Sequence, residues 1–280
     1  MNPVIVFVVS FLLWASKGIY IGTLVERFKG RFNEITAYWL ITSLFNVLLA
    51  VLVTLLCPDV YFVSWSFPVR EFLIFFALSI LAVIPGLKEL WRFIEPKTEE
   101  EQKAAEPFKN LGFIEASALQ IISSALPEEL VFRYIFLGLL SLWNPFAGLI
   151  AVSVFFGLGH RFSHRERGLG LLISNVLSGI VFGLAYLYTG SLLVVMVIHW
   201  LGNMIPWAMM KYPGVRNVIA AATAFPLASL FVFRSEVRRI FEYFAGIYTV
   251  SGLFWGLIIG LAMLGVIYAG IKILSAKNGE

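Results

Sequence analysis

Three ionisable side chains lie close together in a stretch of the chain that is otherwise almost wholly apolar. They are Glu128, Glu129 and Arg133, in the octet LPEELVFR, residues 126–133. On a helix, Glu129 and Arg133 share one face because they are four residues apart, so they can form an ion pair that lowers the cost of both charges. Glu128 lies about 100° further round the helix. It has no basic partner within the octet, so it is a candidate general base.

A purely structural interpretation of the octet stays open from the sequence alone. Ser124 could cap a helix, Pro127 suits the first helical position, and carboxylates are stabilised at a helix N-terminus. Under this interpretation the two glutamates only begin a second helix at the membrane interface, and they carry no chemistry.

The three histidines provide two further candidates and one residue that we assign to the surface. His160 and His199 fall within apolar segments, whereas His164 lies in a basic loop. Phe156 shares a helix face with His160, and Asn203 shares one with His199, because each pair is four residues apart. Either intramembrane histidine could be a simple polar contact between helices. If the three polar clusters converge in one pocket, however, they satisfy one another.

Membrane-spanning helices are expected to position these residues. The 280 residues are 60% hydrophobic and only 14% charged, with a mean hydropathy of +0.88. A spanning helix needs about 20 consecutive apolar residues, and eight or nine such segments can be counted. They are approximately 3–24, 36–57, 70–92, 112–143, 146–162, 168–188, 191–211, 217–233 and 243–274. We expect an all-α, polytopic membrane bundle that forms a single membrane-embedded domain over residues 1–280.

Both the start of the chain and the distribution of charge fit this class of protein. The first apolar run has no basic region before it, which favours a retained span over a cleaved signal. The net charge of +4 is small, and the basic residues lie in loops, so we expect no nucleic-acid binding. The single cysteine, Cys57, allows no internal disulfide.

The basic loops predict how the protein is oriented in the membrane. Lys and Arg cluster in alternate loops, namely 25–35, 88–111, 161–167 and 211–216. The positive-inside rule assigns these loops to the cytoplasm and the N-terminus to the outside. A basic cluster at 234–239 breaks the alternation, so the topology after residue 217 stays open.

The order of the polar motifs resembles a known family. The chain contains Glu128-Glu129-Leu-Val-Phe-Arg133, then Phe156-Gly-Leu-Gly-His160, then His199-Trp-Leu-Gly-Asn203, each in a different apolar segment. This ordered triple resembles the CPBP family of intramembrane proteins. The family comprises CAAX-processing endoproteases of the Rce1 type and the related bacteriocin-immunity and Abi proteins. The resemblance covers about residues 112–210, which would be the catalytic core.

The resemblance implies an intramembrane endopeptidase of the glutamate type. Carried over from the family, Glu128 and His160 would activate a water molecule, His199 and Asn203 would form the oxyanion hole, and Glu129 would pair with Arg133. The substrate would be a peptide or lipidated peptide, such as a prenylated CAAX sequence, cleaved near its C-terminus. It would enter from the cytoplasmic side of a protein that is surrounded by membrane lipid, in the plasma membrane. The oligomeric state is not predicted.

Several alternatives stay open. Zinc could bind Glu128, His160 and His199 with an open fourth position, but the chain has no HExxH motif, so we favour a mechanism without a cofactor. The protein could instead be a non-catalytic immunity or scaffold protein of the same fold. It could also be a transporter or proton relay in which Glu128 and the histidines titrate along a pathway.

Overall fold

The apolar segments fold into helices throughout the part of the chain that the structure describes. The computed structural model describes residues 1–28, 34–60, 64, 66–163 and 168–277. Within these ranges no β-strand forms, and Ser64 and Ser191 make one isolated bridge. The prediction of an all-α protein is therefore confirmed for the described residues. The residues outside them include His164.

The helices follow one another with short connections. The first six are α1 (Pro3–Ala15), α2 (Lys17–Phe28), α3 (Glu34–Leu56), α4 (Val69–Ala82), α5 (Leu87–Ile94) and α6 (Glu99–Lys109). Residues 113–141, here called the central helix, contain α7 (Phe113–Gln120), α8 (Leu126–Glu129) and α9 (Gly138–Ser141), joined by π-helical turns at Ile121–Ala125 and Leu130–Leu137. The last seven are α10 (Pro145–Ser163), α11 (Leu169–Thr189), α12 (Leu192–Lys211), α13 (Arg216–Ala224), α14 (Ser229–Val232), α15 (Arg234–Ile247) and α16 (Val250–Lys277).

Six helical stretches among the described residues are long and apolar enough to cross a membrane. They are Ala37–Leu56, Val69–Ile94, Leu169–Thr189, Leu192–Lys211, Pro213–Val232 and Val250–Ile273. Two more apolar helices, Pro3–Ala15 and Pro145–His160, are shorter. The class of polytopic helical protein agrees with the prediction, whereas the expected count of eight or nine spans is not confirmed.

Bends inside the predicted segments explain part of this difference in count. The apolar run 3–24 divides at Ser16, whose backbone N–H closes α1 on the carbonyls of Leu12 and Trp14. The final segment, predicted as 243–274, begins within α15, and a new helix starts at Val250. A count of apolar residues registers neither bend, because hydropathy does not depend on backbone direction.

The outer faces of the helices are apolar, as contact with lipid requires. In α3 the side chains of Leu44, Leu48 and Leu55 are 60%, 59% and 74% exposed. An apolar surface of this kind on several helices is unfavourable in water but suits a bilayer. The chain is therefore an integral membrane protein.

Polar contacts between loops show which parts of the chain share an end of the bundle. The N-terminal amine of Met1 donates to the carbonyl of Leu56 at 2.9 Å. α4 begins at the same end, after the loop that follows α3. There, Arg70 Nη2 lies 3.1 Å from Oε2 of Glu236. This end therefore includes the basic cluster at 234–239.

The opposite end includes the loop that precedes the central helix and the loop that follows α12. Lys211 Nζ donates to the carbonyl of Lys109 at 2.7 Å, and Arg216 Nη1 lies 3.5 Å from Oε1 of Glu95. The basic loops 88–111 and 211–216 thus share one end, as the alternation of charge predicts. Since Arg216 and the 234–239 cluster lie at opposite ends, the chain crosses the bundle once between them.

The central helix runs without a break through Pro127, which requires a change of hydrogen-bonding register. In a π-helical turn, the N–H of residue 127 would bond the carbonyl of Ile122, but proline has no N–H. The hydroxyl of Ser43 on α3 donates to this carbonyl instead, at 2.5 Å. One turn further along α3, Asn46 Nδ2 donates to the carbonyl of Pro127 at 3.4 Å. Ser43 of α3 therefore satisfies the carbonyl that Pro127 leaves without its backbone donor, and Asn46 adds a second contact between α3 and the central helix.

This continuity excludes one interpretation of the octet. Ala125 and Leu126 have helical backbone angles, and no side chain caps α8. Ser124 is therefore not an N-cap, and the two glutamates do not begin a new helix.

A row of glycines lets α16 pack closely against α10. Gly252, Gly256 and Gly260 are spaced four apart and face α10, in the small-xxx-small pattern that allows membrane helices to approach each other. A Cβ atom at Gly256 would lie 2.7 Å from the Cβ of Ile150 and 2.8 Å from the carbonyl oxygen of Ala147. There is no room for a side chain at this position.

We expect Gly256→Leu to lower the free energy of unfolding by about 1–3 kcal/mol, because the added side chain forces the two helices apart. Thermal unfolding of the purified protein in detergent measures this effect. Gly265→Leu is the matched control on the same helix, since a Cβ there has no atom within 4 Å. Equal unfolding temperatures for the two variants would contradict the close packing of α10 and α16.

Candidate active site

The buried ion pair of the octet lies in the middle of the central helix. Arg133 Nε is 3.1 Å from Oε2 of Glu129, and both side chains are almost completely buried. The Nε–H group of Arg133 is not aligned for a hydrogen bond to Glu129, so the contact is mainly electrostatic. The guanidinium carbon also lies 4.6 Å from the ring centroid of Phe156 and 5.2 Å from that of Phe182. Aromatic faces therefore supply part of the stabilisation that water would give an exposed arginine.

The other oxygen of Glu129 binds a histidine from a different helix. His199 Nδ1 on α12 lies 2.6 Å from Oε1 of Glu129. An ionised carboxylate only accepts hydrogen bonds, so Nδ1 carries a proton and donates it. This contact fixes the orientation of the imidazole and turns its Nε2 atom away from Glu129. Glu129 is thus more than the partner of Arg133 that the sequence predicted.

Ser124 connects the remaining groups at the centre of the site. Its hydroxyl donates to Oε1 of Glu128 at 3.2 Å, and its Oγ lies 3.2 Å from Nε2 of His199. Asn203 Nδ2 donates to the same oxygen at 3.3 Å. Glu128, His199 and Asn203 therefore meet around one hydroxyl group, although they come from two separate helices.

The single proton of the Ser124 hydroxyl links the protonation states of its neighbours. When it is donated to an ionised Glu128, Nε2 of His199 must donate to Oγ, so this imidazole carries two protons. When His199 is neutral, the hydroxyl donates to Nε2, and Glu128 needs a proton of its own to keep its contact. One proton can therefore pass between Glu128 and His199 through Ser124 without movement of any heavy atom.

His160 approaches from α10. Its Nδ1 lies 2.6 Å from the carbonyl oxygen of Phe156, one turn earlier, so Nδ1 carries the proton that it donates. The ring of Phe156 packs edge-on against both imidazoles, with centroid distances of 4.7 Å to His160 and 6.4 Å to His199. Glu128 and His160 both line one cavity of about 380 Å³. The three motifs thus contribute to one continuous region.

Comparison with known proteins agrees with this arrangement. Residues 111–205 match the family model of the type II CAAX prenyl endopeptidases, described as Rce1-like. The chain contains an Rce1-like domain. The match spans the three motifs and ends within α12, so the resemblance drawn from the sequence is confirmed over these residues. No curated protein and no solved structure matches the chain.

Polar contacts on both sides of His199 position α12 against α6 and the central helix. Towards the end of the bundle, Trp207 Nε1 donates to the carbonyl of Phe108 at 2.9 Å. Closer to the site, Trp200 Nε1 donates to Oγ of Ser117 at 3.2 Å. These bonds fix the register of α12 against the central helix, and that register brings Asn203 to Ser124.

No group of three His, Cys, Asp or Glu side chains has the arrangement of a metal site within the described ranges. Glu128, His160 and His199 are the set that the sequence offered for zinc. In the structure, Nδ1 of His199 is engaged by Glu129 and its Nε2 by Ser124.

The sequence reasoning missed two contributions to the site. Ser124 was considered only as a helix cap, although its spacing of four residues from Glu128 places both on one face. Lys17 and Asn46, from α1–α3, line the same cavity as Glu128. The lysine was detectable as a charge within the first apolar run, and the asparagine as an amide within the second. His164 lies outside the described residues.

We expect Arg133→Met to destabilise the protein by about 3–5 kcal/mol, because it leaves the buried carboxylate of Glu129 without its permanent counter-charge. Thermal unfolding in detergent measures this loss. Arg238→Met provides a matched control. Its Glu242 partner is also four residues away, at 2.8 Å, but both side chains are mostly exposed. The control should unfold almost like the wild type, and a similar loss in both variants would contradict a special role for burial.

Proposed function

We propose that this protein is an intramembrane endopeptidase that hydrolyses a peptide bond near the C-terminus of a membrane-associated substrate. The observation that carries this proposal is the meeting of Glu128, His199 and Asn203 at the Ser124 hydroxyl, beside a cavity that His160 also lines. The match of residues 111–205 to a protease family supports the same reaction class.

Glu128 is proposed to act as the general base towards water, with His160 orienting the water molecule. The Oε2 atom of Glu128 is buried and has no hydrogen-bond partner among the described residues, while Oε1 is held by Ser124. One carboxylate oxygen is therefore positioned and the other is available to accept a proton. A positioned general base contributes about 10²–10⁴-fold to a rate.

His199 and Asn203 are proposed to stabilise the oxyanion. Their Nε2 and Nδ2 atoms both contact one oxygen atom, Oγ of Ser124, at 3.2 and 3.3 Å. Two donors that converge on one oxygen-sized position suit the charged oxygen of a tetrahedral intermediate, which would take this position when the Ser124 side chain rotates away. Glu129 supports this role, because it holds His199 in the orientation that directs Nε2 to this position.

The proposed steps balance in atoms and protons. The water oxygen forms a bond to the carbonyl carbon as Glu128 takes one water proton, and the carbonyl oxygen becomes the oxyanion. The intermediate collapses when the C–N bond breaks, and the proton held by Glu128 passes to the leaving amine. The products are a carboxylic acid and a free amine, and no cofactor or metal takes part in this scheme.

The substrate is proposed to be a peptide or lipidated peptide, such as one prenylated at a CAAX sequence. Phe132, Phe155 and Phe156 line the cavity beside Glu128, so an apolar group could be accommodated there. We place the protein in the plasma membrane, with the cavity open towards the cytoplasmic end. The basic loops 88–111 and 211–216 lie together at one end of the bundle, which supports this orientation.

One observation favours a second candidate function, a proton relay. Glu128, Ser124, His199 and Glu129 form a continuous chain of hydrogen bonds along which a proton could move. A relay predicts pH-driven ion flux into liposomes containing the protein, with no peptide cleaved. The peptidase predicts the reverse, and an inactive immunity or scaffold protein predicts neither.

We expect the purified wild-type protein to cleave a farnesylated CAAX peptide, and Glu128→Gln to lower kcat/KM by about 10²–10⁴-fold through loss of the general base. Mass spectrometry of the products, with and without a chelator, measures activity and metal dependence together. Cleavage should survive the chelator.

Glu106→Gln is the control for this experiment, because Glu106 is an exposed carboxylate on α6. It should cleave like the wild type. Loss of cleavage with the chelator, restored by zinc, would contradict the metal-free mechanism, while full activity in Glu128→Gln would refute the proposed base.

We expect Ser124→Ala to lower kcat by roughly 10- to 100-fold with little change in KM, since it removes the hydrogen bond that positions the carboxylate of Glu128. Steady-state kinetics on the same peptide measures both constants. Ser141→Ala is the control, because that hydroxyl lies on the same helix and bonds only the carbonyl of Gly138. An unchanged kcat in Ser124→Ala would show that the serine does not organise the site.

A further inference from the structure

The cavity lined by Glu128 and His160 has one wall that is formed by helices outside the matched segment 111–205. Trp14 and Lys17 lie on either side of the bend between α1 and α2, and Thr42 and Asn46 lie one turn apart on α3. All four line the cavity together with Glu128 and His160. The cavity therefore has two sides. One carries the proposed catalytic groups, and the other, formed by Trp14, Lys17, Thr42 and Asn46, is here called the unassigned side.

The unassigned side is polar where a cavity inside a membrane protein would be expected to be apolar. Trp14 Nε1, Thr42 Oγ1 and Asn46 Oδ1 are buried atoms without a hydrogen-bond partner among the described residues. A buried polar atom that stays unsatisfied destabilises the protein, so such atoms are rare in native structures. Three of them on one wall, with Asn46 only 3% exposed, indicate that a polar ligand completes their hydrogen bonds.

Lys17 determines the charge that this ligand should carry. Its Nζ lies 4.2 Å from the ring centroid of Trp14, and no carboxylate of the described residues lies within ion-pair distance of it. Glu128 attracts Lys17 electrostatically, but the two do not form a direct ion pair. A sheltered ammonium group without a direct counter-ion favours an anionic ligand.

We propose that Lys17 binds the free C-terminal carboxylate of the peptide substrate, while Thr42 and Asn46 hydrogen-bond the peptide backbone between this carboxylate and the scissile bond. This inference rests on the proposed peptidase function and names the feature of the substrate that the site recognises. A peptide cut near its C-terminus brings one carboxylate into the cavity, and that carboxylate supplies the missing counter-ion.

The size of the cavity agrees with a short C-terminal peptide. Three extended residues span about 10 Å, and a volume of about 380 Å³ falls within the range of small-ligand pockets. With Glu128 at the scissile bond and Lys17 at the terminal carboxylate, the separation of the two side chains fixes the number of residues released. Specificity for the position of the cut would then come from α1–α3, and the chemistry from the Rce1-like domain.

The test compares two farnesylated CAAX peptides that differ only in ending with a free carboxylate or with a carboxamide. We expect the wild type to cleave the acid with a kcat/KM roughly 10- to 100-fold higher than the amide, the usual effect of one hydrogen bond to a charged group. In Lys17→Met the preference should disappear, because cleavage of the acid falls while cleavage of the amide hardly changes. Lys17→Arg, which keeps the charge, should retain most of the preference.

Lys103→Met serves as the matched control, since Lys103 is an exposed lysine on α6 that does not line the cavity. It should discriminate between the peptides like the wild type. Thermal unfolding in detergent establishes that each variant is folded, and the wild-type ratio alone tests the proposal if Lys17→Met does not fold.

Two outcomes overturn the inference and leave the peptidase intact. Equal cleavage of acid and amide by the wild type would show that the carboxylate is not recognised. A loss in Lys17→Met by the same factor on both peptides would show that Lys17 acts only on Glu128. Failure of the wild type to cleave either peptide would instead refute the proposed function itself.

Discussion

The site depends on one buried carboxylate, that of Glu129. Its two oxygens contact Arg133 on the same helix and His199 on α12, and no part of the side chain reaches solvent. A charge in this position is tolerated only because both oxygens have partners. The contact between Glu129 and His199 orients the imidazole so that its Nε2 atom faces Ser124. Burial of this carboxylate is unfavourable in itself, but its two contacts fix the geometry of the proposed oxyanion site.

The two adjacent glutamates have different surroundings because neighbouring residues on a helix point in different directions. Glu129 faces Arg133 and α12, whereas Glu128 lines the cavity. The π-helical turn that precedes them carries Ser124 on the same side as Glu128, and Ser43 of α3 donates to the Ile122 carbonyl, which Pro127 leaves without its backbone donor. The local distortion and the position of α3 are thus parts of one arrangement.

Contacts within a helix could be predicted from the sequence, whereas contacts between helices could not. The spacing of four residues indicated that Glu129 could pair with Arg133, and that Phe156 would lie against His160, because helical geometry fixes these neighbours. The bonds from His199 to Glu129 and from Asn203 to Ser124 depend on the register of α12 against the central helix. Tryptophan bonds to Phe108 and Ser117 set that register, and no periodicity encodes it. The bond from Ser124 to Glu128 follows the same spacing of four residues and could have been predicted, whereas the contacts of Ser124 with His199 and Asn203 depend on that register.

The contribution of α1–α3 was hidden for a different reason. The family pattern is confined to residues 111–205, so a reading of the motifs assigns all of the function to that segment. Lys17 and Asn46 are single polar residues in long apolar runs, and only the fold brings them to the cavity that Glu128 and His160 share. Reactive groups need closely fixed neighbours, and the central helix with α12 supplies these. A binding wall needs only the correct polarity at a suitable distance, so it can be formed by helices that carry no motif. The matched segment and the helices around it can therefore divide catalysis and substrate recognition between them.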